Sequence, residues 1–265
     1  MSPAEIGLFL GLGVVIGIIA PAVGIGGGLL MMPAFLFIFP RFGIAPDLVA
    51  HLAVGSSVGA ATLMSVVSVG AHARHGAVDW QVFAGLAPGL IAGAVLGGLV
   101  AHWLPDAVLH RVFAGLMLAI ALWLLVGLKP REREETRRPR VRLTVPVGFA
   151  VGAVSTMVGI GGGSMIVPFL LIAGMASAYA AGTSSAAVLV TVLTGSIVYI
   201  VAGREAANLP AWSLGYLYGP AVIGTAITAM AFAPLGARIG RKLSPQLFKR
   251  LFSLLLVAVA IKLLV

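Results

Sequence analysis

The sequence of 265 residues contains no cysteine, and only 9% of its residues are charged. The absence of cysteine excludes disulfide bonds and any thiolate-based metal or redox site. Soluble domains carry about a quarter charged residues, so the scarcity of charge excludes an ordinary soluble protein. With 60% hydrophobic residues and a mean hydropathy of +1.11, the composition predicts an integral membrane protein that has the lipid bilayer as its partner.

Acidic residues are also scarce, eight against 17 lysines and arginines. A net charge of +9 can indicate nucleic-acid binding, but here the basic residues lie in short gaps between apolar runs rather than along one face. We therefore interpret them as signals of membrane topology and expect no nucleic-acid partner. The carboxylates lie at the ends of the apolar runs, which argues against a proton relay of the kind that pumps use.

The apolar runs contain no cluster of histidines or carboxylates that could hold a metal ion or form an acid–base pair. The sequence therefore predicts no metal, no other cofactor and no enzymatic activity. A membrane-embedded enzyme or a subunit without transport activity of its own is the alternative that this observation weakens.

Six apolar runs are long enough to cross a bilayer as helices, which takes about 20 residues. They lie at 48–71, 82–101, 108–128, 179–202, 212–235 and 247–265. Two further apolar regions, 6–39 and 143–174, are too long for one upright helix. A glycine cluster divides each into a first piece of 15–16 residues and a shorter second piece, so we expect two broken helices.

The glycine clusters belong to a duplicated pattern. AVGIGGGLLMMP at 22–33 and MVGIGGGSMIVP at 157–168 are 135 residues apart, and VGSS at 54–57 resembles GTSS at 182–185. The offset between further matches drifts because the loops differ in length. We infer a first repeat at 1–128 and a second repeat at 143–265, joined by a polar linker at 129–142.

The basic residues predict the orientation of the chain. The linker contains seven of them and is expected in the cytoplasm. If each broken region enters and leaves on the same side, the loops 72–79, 129–142 and 236–250 place 13 basic residues inside and leave 4 outside. If each broken region crosses once, the split is 10 to 7. The first arrangement obeys the positive-inside rule better, and it places both termini in the periplasm.

This arrangement predicts an all-α polytopic membrane protein built from two inverted-topology repeats. Each repeat has one broken, re-entrant helical segment followed by three transmembrane helices. Inverted repeats with discontinuous helices are typical of secondary transporters, which hold their substrate near the midplane where the broken helices meet. The sequence therefore favours transport by alternating access, with a small-anion channel as an alternative.

The glycine clusters are the predicted substrate site. A helix that resumes after such a break presents unpaired amides and the positive end of its dipole, which attract anions. Close helix packing is the alternative role of glycine in membrane helices, and we assign it to scattered glycines such as Gly97. Alanine at Gly97 is expected to cost much less than leucine at Gly27 or Gly162, which should abolish transport. The predicted substrate-binding residues are Gly24, Gly26, Gly27, Gly28 and Leu29 in the first repeat and Gly159, Gly161, Gly162, Gly163 and Ser164 in the second.

Other residues near the clusters are candidates for supporting roles. Pro33 and Pro168 are expected to shape the short helices that follow the glycines. Ser56, Ser57, Thr183, Ser184 and Ser185 could donate hydrogen bonds to an oxyanion, or could equally bond carbonyls of their own helix or of neighbouring helices. His51 could follow a coupling proton near neutral pH, although an interfacial histidine without a mechanistic role is the commoner case.

The GIGGG motifs, the prolines after them, the GSS and TSS positions and the basic linker together resemble the TauE/SafE family of sulfite-exporter-like membrane transporters. The resemblance covers essentially the whole chain. It implies export of sulfite, organosulfonates or related small anions across the bacterial inner membrane. It leaves the particular anion and the coupling ion, proton or sodium, undetermined, and it is compatible with a homo-oligomer.

Overall fold

The computed structural model describes residues 3–23, 27–126, 138–240, 253–254 and 256–262. Most of this part of the chain is helical, and a short hairpin of two strands precedes the last long helix. The elements are α1 (Pro3–Val23), α2 (Gly28–Ile38), a 3-10 turn (Phe39–Phe42), α3 (Val49–Arg74), α4 (Trp80–Trp103), α5 (Asp106–Val126), α6 (Val141–Val158), α7 (Gly163–Ile172), α8 (Ser177–Ala202), β1 (Ser213–Leu214), β2 (Leu217–Tyr218) and α9 (Gly219–Gly240).

Within the described residues, four helices are long and apolar enough to cross a membrane, namely α3, α4, α8 and α9. The predicted run 108–128 falls on α5, and most of the predicted run 247–265 lies outside the described residues. The predicted run 212–235 begins too early, because residues 213–218 form the hairpin. Trp212 and Gly215 have positive φ angles, +70° and +57°, which no continuous helix accommodates.

Both predicted breaks occur where the glycine clusters lie. The first break, residues 24–27, separates α1 from α2, and the second break, residues 159–162, separates α6 from α7; Gly24 and Gly26 lie outside the described residues. The second pieces have 11 and 10 residues, about 15–17 Å of helix, which is roughly half the hydrocarbon thickness. The first pieces are longer than expected, with 21 residues in α1 and 18 in α6.

Each short helix returns along the path of the helix before it. The ring of Phe9 in α1 lies 6.2 Å from Phe35 and 6.4 Å from Phe39 at the end of α2. Leu170, near the end of α7, shares a buried apolar cluster with Val82 of the first turn of α4, and the start of α6 packs there too. Each broken segment therefore forms a helical hairpin whose turn is the break.

Two parallel helix pairs flank the centre of the molecule. In the pair α4–α6, Gly85 lies against Thr144 at one end and Gly97 lies against the carbonyl of Ala153 further along. In the pair α1–α9, Thr225 lies beside Phe9 and Gly236 lies beside the carbonyl of Ile18. In both pairs glycines let the backbones approach closely.

Gly97 has the packing role that the sequence analysis assigns to it. A Cβ atom there would collide with the backbone carbonyl oxygen of Ala153, which cannot move aside as a flexible side chain can. Glycine at this position therefore lets α4 and α6 approach closely.

The central helices α3 and α8 run antiparallel. Midway along α3, the hydroxyl of Thr62 shares a hydrogen bond of 3.0 Å with that of Ser196, in the last third of α8. At one end of the pair, the amide of Asp79, just after α3, donates to Thr183 near the start of α8. At the other end, the amide of Tyr218 in β2, just before α9, donates to Ser56 in the first third of α3.

Candidate functional site

The two breaks approach each other beside α3. A Cβ atom at Gly28, the first residue of α2, would lie 2.7 Å from the carbonyl oxygen of Gly159 and 2.9 Å from that of Ile160. A Cβ atom at Gly159 would in turn lie 3.3 Å from Cβ of Ser57. Glycine is needed at Gly28 because neighbouring carbonyls leave no room for a side chain, and it is favoured at Gly159 because φ is +75° there and the contact is tight.

The second break is held in an unusual backbone conformation. Gly159, Gly161 and Gly162 have φ angles of +75°, +85° and +81°, in the left-handed region that side chains disfavour. Gly27, the equivalent of Gly162 in the first repeat, has an ordinary helical φ of −68°. The backbone conformation therefore differs between the two equivalent positions, left-handed at Gly162 and helical at Gly27.

The second break also leaves a run of amides without acceptors. The amides of Gly159 and Ile160 donate to the carbonyl of Ser155, and those of Met165 and Ile166 donate to the carbonyl of Gly162. The four amides between them, from Gly161 to Ser164, donate to no residue that the structure describes. They are the free donors of the N-terminus of α7.

Two serine hydroxyls at the second break lack partners as well. Ser155 in the last turn of α6 is 1% exposed and Ser164 in the first turn of α7 is 7% exposed, and the Oγ atoms of both bond to no described residue. Ser155 Oγ lies 2.6 Å from the place that a Cβ atom of Gly162 would take, so it faces the break. The sequence analysis predicted Ser164 as a site residue but not Ser155, because Ser155 lies outside the glycine motif.

Two of the candidate hydroxyls bond their own helix. Ser57 donates to the carbonyl of Ala53 and Ser185 donates to the carbonyl of Gly182, each over 2.7 Å. Both bonds follow the alternative that serine in a membrane helix satisfies itself locally. Ser184 Oγ bonds to no described residue and lies near Gly163.

Ser56 and Thr183 join α3 and α8 to the segments that precede the next helices. The Ser56 hydroxyl accepts a hydrogen bond of 3.0 Å from the amide of Tyr218, and the Thr183 hydroxyl accepts one of 2.9 Å from the amide of Asp79. Tyr218 and Asp79 each stand immediately before a helix, α9 and α4. Ser56 and Thr183 thus make equivalent structural contacts in the two halves of the chain.

The glycines before these hydroxyls are equivalent too. Gly55 packs on the carbonyl of Tyr216 and Gly182 packs on the carbonyl of Ala77. These contacts align Gly55 with Gly182, an offset of 127, whereas the motif comparison aligned Val54 with Gly182. The predicted register of these two motifs is wrong by one residue, because both alignments match serines and only the packing distinguishes them.

Pro33 and Pro168 occupy the same position in the two short helices, the sixth residue of α2 and of α7. Proline has no amide hydrogen, so each removes the helical bond to the carbonyl four residues earlier. The carbonyls concerned belong to Leu29 and Ser164, in the first turn after each break.

His51 belongs to a buried cluster of aromatic and titratable rings. Its Nε2 atom lies 3.1 Å from the carbonyl oxygen of Ala101. Its ring lies 5.1 Å from that of Tyr216 and 6.5 Å from that of His102, and Tyr216 OH lies 3.3 Å from His102 Nδ1. Tyr199 extends the cluster toward α6, where its hydroxyl bonds the carbonyl of Thr156.

The described part of the chain contains no group of three or more histidine, aspartate and glutamate side chains that could hold a metal ion. The donors at the second break are neutral amides and hydroxyls. Such a set recognises the oxygens of a small anion through hydrogen bonds and the dipole of α7.

Comparison with known proteins agrees with this chemistry. The family described as "Sulfite exporter TauE/SafE" matches residues 9–263. A probable membrane transporter protein of Haemophilus influenzae is 31% identical over 254 residues, which cover 96% of each chain. Another from Methanocaldococcus jannaschii is 31% identical over 255 residues, 94% of this chain and 91% of its own. No solved structure matches the chain. The chain is a multi-pass membrane protein and belongs to the sulfite exporter TauE/SafE family.

Proposed function

We propose that this protein is a secondary transporter that exports a small sulfur oxyanion or an organosulfonate across the bacterial inner membrane by alternating access. One observation carries the proposal. The second break places four amides and two hydroxyls that bond no described residue together at the start of a half-length helix.

The chemistry of these donors favours a small anion. A charge near the midplane of a membrane is costly unless groups that are already oriented stabilise it. Hydrogen-bond donors fixed at a helix N-terminus meet this need without a lysine or arginine, and the positive end of the α7 dipole adds to them. Sulfite and sulfonate groups present several oxygens that accept such bonds.

The packing of the helices supports two inverted repeats, 1–128 and 143–265, around the linker. A twofold axis in the membrane plane exchanges α1 with α6, α3 with α8 and α4 with α9. Such an axis requires α3 and α8 to be antiparallel. It also makes the pair α1–α9 equivalent to the pair α6–α4. The contacts of Thr62 with Ser196, of Gly97 with Ala153 and of Gly236 with Ile18 all fit this relation. Rocking of one repeat against the other would expose the breaks to each side in turn.

The distribution of charge supports a cytoplasmic linker. Arg138, at the end of the linker, forms an ion pair of 2.8 Å with Asp79, just before α4. Lys262 lies over the ring of Phe37, at the opposite end of the molecule. Because the chain has no cysteine, the variants Glu134→Cys and Ala206→Cys test this orientation with an impermeant reagent. Labelling of both from the same side would contradict it.

The ring cluster around His51 supports proton-coupled transport. The imidazoles of His51 and His102 and the phenol of Tyr216 lie side by side. A proton taken up by this cluster would add a positive charge in a mostly apolar region between α3 and α4, which could favour one orientation of the repeats. Sodium coupling is the alternative, and the same transport assay with a sodium gradient in place of the pH gradient tests it.

Flux measurements in proteoliposomes test the proposed function. We expect labelled sulfite to exchange across the membrane and to accumulate against its gradient when a pH gradient is imposed. Flux that never exceeds the electrochemical gradient would indicate a channel instead. Absence of flux for sulfite, sulfate, thiosulfate and methanesulfonate would contradict the proposal.

A further inference from the structure

The two repeats differ at the positions that face the breaks. Shifting the second repeat by the offset of 135 residues between the glycine clusters places Ser155 on Ala20 and Ser164 on Leu29. Ala20 and Leu29 are buried and apolar, whereas Ser155 and Ser164 are equally buried and carry hydroxyls. The hydroxyls at these positions are therefore a property of the second break alone.

Burying a hydroxyl without a partner is costly, and proteins rarely do it without a reason. In the described part of the chain, three buried hydroxyls without a hydrogen-bond partner fall within residues 155–164. Two of these three, on Ser155 and Ser164, flank the free amides of Gly161 to Ser164. The third, on Thr156, lies against α4 and α8 at Gly98 and Gly195 and away from the break.

The contact between the two breaks is unsuited to an anion. Gly28, at the start of α2, lies on the carbonyl oxygens of Gly159 and Ile160. An anion at that contact would meet the negative ends of two peptide dipoles. The rest of the second break offers groups that can donate, namely Ser155 Oγ, 2.6 Å from the Cβ position of Gly162, and the Ser164 hydroxyl and the amides in the first turn of α7.

From these observations we infer that the anion-binding site is asymmetric. It is formed by the second break, with Ser155 and Ser164 as hydroxyl ligands of a sulfur oxyanion and the amides of Gly163 and Ser164 as backbone ligands. The first break packs against it and acts as a support. This inference rests on the proposed function, and it replaces a site shared equally by both breaks with one on a single side of the twofold axis.

Binding of sulfite to purified protein in nanodiscs, measured by isothermal titration calorimetry, tests the inference. Ser155→Ala and Ser164→Ala each remove one donor to a charged ligand, so each should weaken the affinity by roughly 10-fold or more. Without sulfite, both variants should unfold at or above the wild-type temperature, because neither hydroxyl has a partner to lose among the residues that the structure describes. Reduced affinity with unchanged stability distinguishes a ligand role from a structural one.

Thr156→Val is the matched control. Its hydroxyl is as buried as that of the neighbouring Ser155 and likewise bonds no described residue. Thr156, however, faces Gly98 and Gly195 rather than the break. It should bind sulfite with the wild-type affinity. Ala20→Ser, which installs the hydroxyl at the equivalent position of the first repeat, should not improve binding.

The outcomes separate the two proposals. If wild type binds sulfite and both serine variants bind it equally well, the asymmetric site is wrong and the proposed function stands. The same holds if Thr156→Val weakens binding as much as the serine variants do. If wild type binds none of sulfite, sulfate, thiosulfate and methanesulfonate, the proposed function and the inference are both wrong.

Discussion

The contact between the two breaks makes a quantitative prediction at Gly28. A Cβ atom there would lie 2.7 Å from one backbone carbonyl oxygen and 2.9 Å from the next, whereas ordinary contacts begin at 3.4 Å. Gly28→Ala must therefore move the second break by several tenths of an ångström. Overpacking of this kind costs about 1–3 kcal/mol, which corresponds to a fall in Tm of roughly 2–12 °C at about 2–4 °C per kcal/mol.

Gly27→Ala is the control for this prediction. Its backbone is helical, and its Cβ atom would meet the mobile methyl ends of Met64 and Met31 at 3.0 and 3.3 Å. We expect its free energy of unfolding to stay within about 1 kcal/mol of wild type, since flexible side chains can move aside. Thermal unfolding of both variants, followed by tryptophan fluorescence in one detergent, gives the comparison. Equal melting temperatures for Gly28→Ala and wild type would refute the contact between the breaks.

Three further predictions concern packing, capping and coupling. Gly97→Ala should lose about 1–3 kcal/mol of stability, because its Cβ atom would strike a backbone carbonyl. Gly115→Ala, with open space at its Cβ atom, should be as stable as wild type or more stable by up to about 1 kcal/mol. Thermal unfolding of both variants checks the pair. Asp79 caps α4 by accepting from two backbone amides, so Asp79→Ala should cost about 0.5–2 kcal/mol, whereas Arg138→Ala should cost less than about 1 kcal/mol because that guanidinium is 57% exposed. His51→Gln should abolish sulfite accumulation driven by a pH gradient while sulfite exchange continues, and unchanged accumulation would exclude His51 as the coupling group.

The hydropathy pattern predicted much of the fold, because membrane helices must be long and apolar. It located α3, α4 and α8 to within a few residues, and the glycine clusters located both breaks. The start of α9 was predicted seven residues too early, at 212 rather than Gly219. The residues before it are apolar enough to extend the run, and only the positive φ angles at Trp212 and Gly215 reveal the hairpin.

The candidate site was predicted less completely, because side-chain bonding depends on neighbours that are distant in sequence. Nothing in the motif distinguished Ser57, which bonds its own helix, from Ser56, which holds the amide of Tyr218. Ser155 precedes the glycine motif and becomes visible only when the α6–α7 turn brings it against Gly162. An alignment of the two repeats, which pairs Ser155 with Ala20, could have identified Ser155 as a site residue.

Locating a bound anion tests the central claim most directly. Selenite has the shape of sulfite and scatters anomalously, so diffraction from crystals of the full chain soaked in selenite would reveal its position. The account predicts one anomalous peak within hydrogen-bond distance of the amides of Gly163 and Ser164 and of the hydroxyls of Ser155 and Ser164. A peak between Gly28 and the carbonyl of Gly159, or at a site remote from both breaks, would contradict it.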